Sequence, residues 1–262
     1  TIDAGLVELV SVGDYVWCDI NRDGLQDGTD VPAEGVVVHL LDSAGVEVGT
    51  ATTDAAGFYS FTDLVGGAAY TLVFDRPANT TFTLMGVGSD PAVNSDPAPA
   101  TGLVAVTAPV TGNNLAATPD APTFDAGLVE LVSVGDYVWV DANRNGVQDA
   151  GESPLPGVVV NVYAADGTTL IASTTTDASG YYWFTDLWAG ATYTIEFVKP
   201  AGYTYTPVVN ADGTAAKDAG TDSDAPVTDG KVTFTAEATG SNAAGATATD
   251  NPTIDAGFVE LV

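Results

Sequence analysis

Short apolar runs alternate with polar turns along the whole chain. Runs of Val, Ile, Tyr, Thr and Phe bounded by Gly, Asp and Pro predict strands. In the first half they fall at Gly13–Cys18, Gly35–Leu41, Glu47–Thr53, Phe58–Phe61, Ala69–Phe74, Leu103–Val110 and Phe124–Val132. In the second they recur at Gly135–Val140, Gly157–Tyr163, Leu170–Thr176, Tyr181–Phe184, Thr192–Val198, Val232–Ala236 and Ile254–Val262. Turn chemistry separates them, as in Asp54-Ala-Ala-Gly57 and Asp177-Ala-Ser-Gly180. No long stretch carries helical periodicity. Seven strands in roughly 120 residues suit a β-sandwich. The expected fold is all-β: two tandem antiparallel Greek-key β-sandwiches, end to end.

Self-comparison fixes the domain organisation. Residues Thr1–Val10 read TIDAGLVELV, Thr123–Val132 read TFDAGLVELV and Thr253–Val262 read TIDAGFVELV. SVGDYVW follows the first two copies, at Ser11 and Ser133. The chain reads as a tail strand of a preceding repeat (1–10) and two full repeats, 11–132 and 133–262. Nothing Gly/Ser- or Pro-rich separates them, so a short, stiff junction is expected.

A twelve-residue motif follows the opening strand of each repeat. In the second it runs Asp141, Asn143, Asn145, Gly146, Val147, Asp149 and Glu152, with acids or amides at positions 1, 3, 5, 9 and 12 and glycine at 6. In the first it runs Asp19, Asn21, Asp23, Gly24, Leu25, Asp27 and Asp30. Alternate residues of such a loop turn inward, glycine permits the bend, and position 7 (Leu25, Val147) offers its backbone carbonyl. An all-oxygen set suits Ca2+ rather than zinc or copper. An ion-free Asp/Asn turn is the plainer alternative. The loops bearing Asn94-Ser-Asp96 and Asp222-Ser-Asp224, and the Asp54 and Asp177 turns, fall at the same end by counting strand reversals. Asp54, Asp96, Asp177, Asp222 and Asp224 are therefore expected to serve further ions, or else to cap hairpins.

Charge strengthens the cation reading. Thirty-five acidic residues against six basic ones give −29, at a normal 45% apolar content. Such a chain repels nucleic acid and anionic bilayers, and no apolar run reaches the length of a membrane span. A saline habitat is a competing cause of the acidity. The single Cys18, matched by Val140, reads as a small buried hydrophobe; the single His39, matched by Asn161, reads as a partly exposed strand position. Asp14 and Asp136 read as strand-start polar residues. Tyr15/Trp17 and Tyr137/Trp139 read as packing aromatics. Trp183 and Trp188 are the aromatic candidates for a ligand patch. No acid/nucleophile pair or triad is recognisable, so no enzymatic activity is expected.

The order SVGDYVW-x-D-x-N-x-[DN]-G-x-Q-D, G-V-x-V, T-D-A-x-G-x-Y-x-F-x-D-L, S-D and D-A-G-[LF] resembles the B domains of serine-aspartate-repeat surface adhesins, relatives of the B-type domains of collagen adhesins. The resemblance covers both repeats. It implies a calcium-dependent β-sandwich spacer in a bacterial secreted or cell-surface, hence extracellular, protein. It also points to neighbouring repeats of the same chain as partners, and to a monomer. Alternatives are a module gripping a host or surface protein, a peptide or a glycan, and an accessory domain of an extracellular enzyme. Collagen-adhesin relatives often carry a Lys–Asn cross-link. The first repeat has no lysine, and the second has only Lys199, Lys217 and Lys231, none on its opening strand. Metal is expected to replace that staple.

Overall fold

The structure is a computed structural model describing residues 5–207, 222–240, 242 and 254–261. The chain divides between Glu130 and Leu131 into two compact units. Every described element is a strand. Tail residues Leu9 and Val10 lie in the first strand of the first unit, and residues 1–4 and Lys217 lie outside the described residues.

The first unit contains β1 (Leu9–Cys18), β2 (Val31–Pro32), β3 (Val37–Asp42), β4 (Glu47–Thr52), β5 (Phe58–Val65), β6 (Ala69–Phe74), β7 (Thr80–Phe82), β8 (Leu103–Thr107) and the first half of β9 (Ala126–Val134). One sheet has the order β4-β3-β6-β8 and is antiparallel throughout. The other is organised by β1. Its first part pairs antiparallel with β5, from Leu9↔Val65 to Tyr15↔Phe58. Its last residues, Val16–Cys18, run parallel to Ala126–Leu128 of β9 and antiparallel to β2, while β7 flanks β9. The inward side chains Val10, Val12, Val16, Val38, Leu40, Tyr59, Leu72, Phe74 and Leu128 form the core.

The second unit repeats this plan with Leu131–Val134 of β9, β10 (Val138–Val140), β11 (Ser153–Pro154), β12 (Val159–Ala164), β13 (Leu170–Thr175), β14 (Phe184–Trp188), β15 (Thr192–Phe197), β16 (Tyr203–Tyr205), β17 (Lys231–Thr235) and β18 (Ala256–Glu260). One sheet is β13-β12-β15-β17 and another is β11-β10-β18-β16, with β14 against β9. Val134, Val160, Val162, Tyr182, Ile195, Phe197 and Phe258 fill its core.

The two sandwiches are as the strand pattern predicts, with one refinement. The opening and closing strands of each unit run parallel, as β1·β9 and β10·β18 do. Parallel partners need a long crossover, and here the rest of the unit supplies it. The two- and three-residue strands β2, β7, β11 and β16 are too short to show a period in the sequence.

Two motif residues acquire reasons from packing. Trp17 and Trp139 are 1% and 0% exposed, so their rings are core, as packing aromatics should be. The glycine of each D-A-G motif lies against them: a Cβ on Gly127 would sit 2.4 Å from Thr83 Cγ2 and 3.0 Å from the Trp17 ring. Gly257 meets Thr206 and Trp139 in the same way. Asp63 and Asp186, unplaced by the sequence, take left-handed backbone at φ 60 in each case. Asn114 and Asn242 accept their N–H groups at 2.7 Å and donate back to their carboxylates.

Outward faces differ between the units. Half-buried His39 lies between Glu47 (3.1 Å) and Asp75 (3.3 Å). Its counterpart Asn161 donates to Glu196, which also accepts from Tyr163, beneath Lys231. Cys18 is half-buried, and burial pushes its thiol up. Trp183 and Trp188 are half-buried as well.

Two expectations follow. Gly127→Ala forces the Thr83–Trp17 contact apart and destabilises the first unit by about 1–3 kcal/mol, as overpacking does; thermal melting of that variant checks it. The hydrogen bond that His39 donates to Asp75 raises the His39 pKa most, desolvation opposes it, and the charges of Asp75 and Glu47 add to the rise. The charged imidazole is therefore favoured, and the contact weakens as pH rises through the folded-state value. An NMR titration should place His39 above the ordinary imidazole value of 6.5, and Asp75→Asn should bring it back down.

Candidate metal centre

Each twelve-residue loop leaves the end of the opening strand and is shaped by two left-handed positions. Arg22 and Gly24 have φ 61 and 80; Arg144 and Gly146 have φ 65 and 80. Glycine is needed twice over at Gly24, because a Cβ there would come 2.7 Å from the Leu84 carbonyl.

Position 1 is the anchor. Asp19 is buried and accepts the N–H groups of Arg22 (2.6 Å) and Gly24 (2.9 Å) and the Thr83 hydroxyl. Asp141 accepts those of Arg144 (2.6 Å) and Gly146 (2.8 Å) and the Thr206 hydroxyl. Burial opposes the Asp141 charge, but the Thr206 hydroxyl and these N–H groups together hold its carboxyl below the usual range. Buried Thr83 and Thr206 belong to the site although no loop motif contains them; aligning T-F-T at 81–83 with T-Y-T at 204–206 would have found them.

Position 12 closes the loop in the same way in both units. Asp30 accepts from Ile20 (3.0 Å) and Asp27 (2.9 Å). Glu152 accepts from Ala142 (2.8 Å) and Asp149 (3.0 Å). Aspartate thus reaches the same pair of N–H groups as glutamate. Position 3 bridges inward: Asn21 donates to Asp23 and Asp27, and Asn143 to Asp149. Position 5 accepts from position 7, Leu25 to Asp23 and Val147 to Asn145.

The long loop reaches the same place. Asn94 bridges Leu25, and Asp222 bridges Val147. Gln26 N donates to Val93 (2.6 Å), and Ser223 N to Gly146 (3.0 Å). The Asn94 Oδ1 atom is buried with no hydrogen-bond donor among the described residues. The unit with Asp23 has Asn94, whereas the unit with Asn145 has Asp222. The acid and amide have exchanged places.

A second acidic group lies one step along the same loop. Asp96 Oδ2 accepts the Asp125 N–H (2.8 Å), and Asp96 N donates back to the Asp125 carbonyl (2.9 Å). Ser95 Oγ accepts from Gly127, and Asp125 Oδ1 from Tyr15. In the second unit Asp224, Ser223 and Asp255 repeat these bonds with Gly257 and Tyr137. Asp14, read from sequence as a strand-start residue, is buried beside Asp125. Burial, then the neighbouring Asp14 charge, pushes the Asp125 carboxyl up; burial pushes Asp96 up to about 6. Asp136 and Asp255 are raised by burial likewise. Buried Asp125 Oδ2 and Asp255 Oδ2 have no hydrogen-bond donor among the described residues.

Asp54 and Asp177 make local bonds instead. Each caps its own hairpin: Asp54 accepts from Ala56 and Phe58, Asp177 from Ser179 and Tyr181.

The donor set fits a hard cation by chemistry: it is all oxygen, largely anionic, and includes a buried acceptor without a donor. By position, among the described residues, no three His, Cys, Asp or Glu side chains gather closely enough to hold a metal between them.

The profile of the SdrD B-like domain matches the chain twice, over residues 10–128 and 132–258. Serine-aspartate repeat-containing protein F of Staphylococcus epidermidis is 40% identical over 261 residues, covering 98% of this chain and 13% of that protein. Serine-aspartate repeat-containing protein D of Staphylococcus aureus (strain Newman) is 37% identical over 217 residues, covering 82% of this chain and 15% of that protein. The chain thus spans a small fraction of these relatives' length. Among solved structures, the shaft pilin SpaA of Lactobacillus rhamnosus GG aligns over 98% of this chain and 99% of that one, at 13% identity and TM-score 0.31. The chain belongs to the SdrD B-like domain family, in two tandem copies. No helix among the described residues is long and apolar enough to cross a membrane.

Proposed function

We propose that this SdrD B-like pair is a calcium-clamped spacer in a bacterial secreted or cell-surface adhesin. The observation that carries this reading is the acid–amide exchange around each loop. Asp19, Asp23, Asp27 and Asp30 with Asn94 in one unit, and Asp141, Asp149, Glu152 and Asp222 with Asn145 in the other, keep the carboxylate number equal. Equal charge from different positions is what a single cation selects for, and a mere surface turn does not.

The residues that would hold Ca2+ are Asp19, Asn21, Asp23, the Leu25 carbonyl, Asp27 and Asp30, joined by Asn94. In the second unit they are Asp141, Asn143, Asn145, the Val147 carbonyl, Asp149 and Glu152, joined by Asp222. When bound, the ion supplies positive charge that relieves repulsion among these carboxylates. The chain's own part is to present oxygens from two separate loops, so that occupancy ties the twelve-residue loop to the 84–102 segment or its counterpart. The groups around Asp14/Asp96/Asp125 and Asp136/Asp224/Asp255 are a further cation site on the same logic. Asp54 and Asp177 are left out of it, since their oxygens cap turns.

Binding to the folded loop alone stabilises it by RT ln(1 + [Ca]/Kd), about 2.7 kcal/mol when calcium exceeds Kd a hundredfold. Extracellular calcium meets that condition for moderate affinities, so the units stiffen after export.

Calcium should raise the melting temperature of the pair and lengthen the particle in small-angle scattering; identical melts and dimensions with calcium and with chelator refute the clamp. Asn94→Ala should weaken calcium binding by the first unit roughly tenfold, about 1.4 kcal/mol, in a calorimetric titration, and leave the chelated melt unchanged. The same titration should exceed one ion per unit if the Asp125 and Asp255 groups bind.

A further inference from the structure

The second loop contains the only Asn-Gly pair in the chain, Asn145–Gly146, where the first loop has Asp23–Gly24. Asn-Gly is the pair most prone to intramolecular cyclisation, because glycine offers no side chain to hinder approach to the preceding amide. The Gly146 nitrogen attacks the Asn145 Cγ, a C–N bond forms, the Cγ–Nδ2 bond breaks, and ammonia leaves with the displaced proton. Water then opens the imide at either carbonyl, giving aspartate or its β-linked isomer. Overall, one amide and one water yield one carboxylate and one ammonium.

The folded loop withholds every group this reaction needs. Gly146 is buried, and its N–H is donated to Asp141 Oδ2 at 2.8 Å. The Asn145 side chain is held from both ends, with Oδ1 accepting from Val147 (2.8 Å) and Nδ2 donating to Asp149 (2.7 Å). Its own N–H is donated to Asn143 Oδ1 (3.0 Å). Asn145 itself is exposed, so water reaches the product side freely.

We propose that Asn145–Gly146 is a conditional deamidation site, closed while the loop is folded and open whenever the loop unfolds locally. The α-linked product places a carboxylate at position 145, as Asp23 does in the first unit, and sets it against Asp149, raising the loop's demand for a cation. The β-linked product lengthens the backbone at the bend and disables the loop. The second unit therefore records its own episodes of opening as a permanent charge, and the first, already aspartate at this position, does not. These restraints are hydrogen bonds of the chain, and the inference does not rest on calcium.

The test follows conversion at Asn145 by peptide mass spectrometry in the full chain, held in chelator at mildly alkaline pH, beside the same chain in strong denaturant. Conversion in the folded chain should be at least about tenfold slower, because reaction runs only through the open fraction. Asp141→Asn, which weakens the grip on the Gly146 N–H, should speed conversion severalfold while melting stays cooperative. If that variant does not fold, wild-type chain in sub-denaturing urea gives the reading, with conversion rising in step with hydrogen exchange of the Gly146 amide. Equal rates in folded and denatured chain, or conversion independent of Gly146 exchange, overturn the proposal.

Discussion

Backbone N–H groups satisfied by carboxylate oxygens are the interaction on which each unit depends. A loop that turns sharply between strands leaves its amides without ladder partners, and buried amides must find acceptors. Here the acceptors are Asp19, Asp30 and Asp96 in one unit and Asp141, Glu152 and Asp224 in the other. Each bond is stronger for being charge-assisted. Around Asp125 the same choice sets the buried carboxyl beside Asp14 and Asp96, which creates a demand for positive charge or a proton.

That demand is met differently in the two acidic groups. The twelve-residue loop has many N–H donors, which hold Asp141 below the usual carboxylate range despite burial. Around Asp125 the donors are fewer and burial is deeper, and the carboxyl is pushed up instead. A cation or a proton can relieve the second group, whereas Asp141 in the first is held ionised by its donors. In the first unit both acidic groups draw on the Asn94–Asp96 segment, Asn94 beside Leu25 and Asp96 bonded to Asp125.

The two copies serve as internal controls for each other. They keep the core, the loop bonds, the D-A-G glycine beneath a tryptophan, and the Asn114 and Asn242 clamps. They do not keep the outward face, where His39 between two acids is replaced by Asn161, Tyr163, Glu196 and Lys231. What both retain is structural and ionic; what differs is surface.

Strand positions, the repeat and the loop motif were legible in the sequence, because period-two patterning and ligand spacing are local properties. Asp19, Asp23 and Asp30 could be named from spacing alone. The roles of Thr83, Asn94, Asp14 and Asp125 could not, since they come together only when β7, β9 and the long loop fold onto β1. Sequence likewise grouped Asp54 and Asp177 with Asp96 and Asp222 by counting strand reversals, with hairpin capping as the alternative; in the fold each caps its own hairpin, because an aspartate opening a tight hairpin finds the N–H groups two and four residues ahead. Local chemistry set which residues could serve. Only the closed sandwich, by making long-range N–H groups compete for each oxygen, decided which of them do.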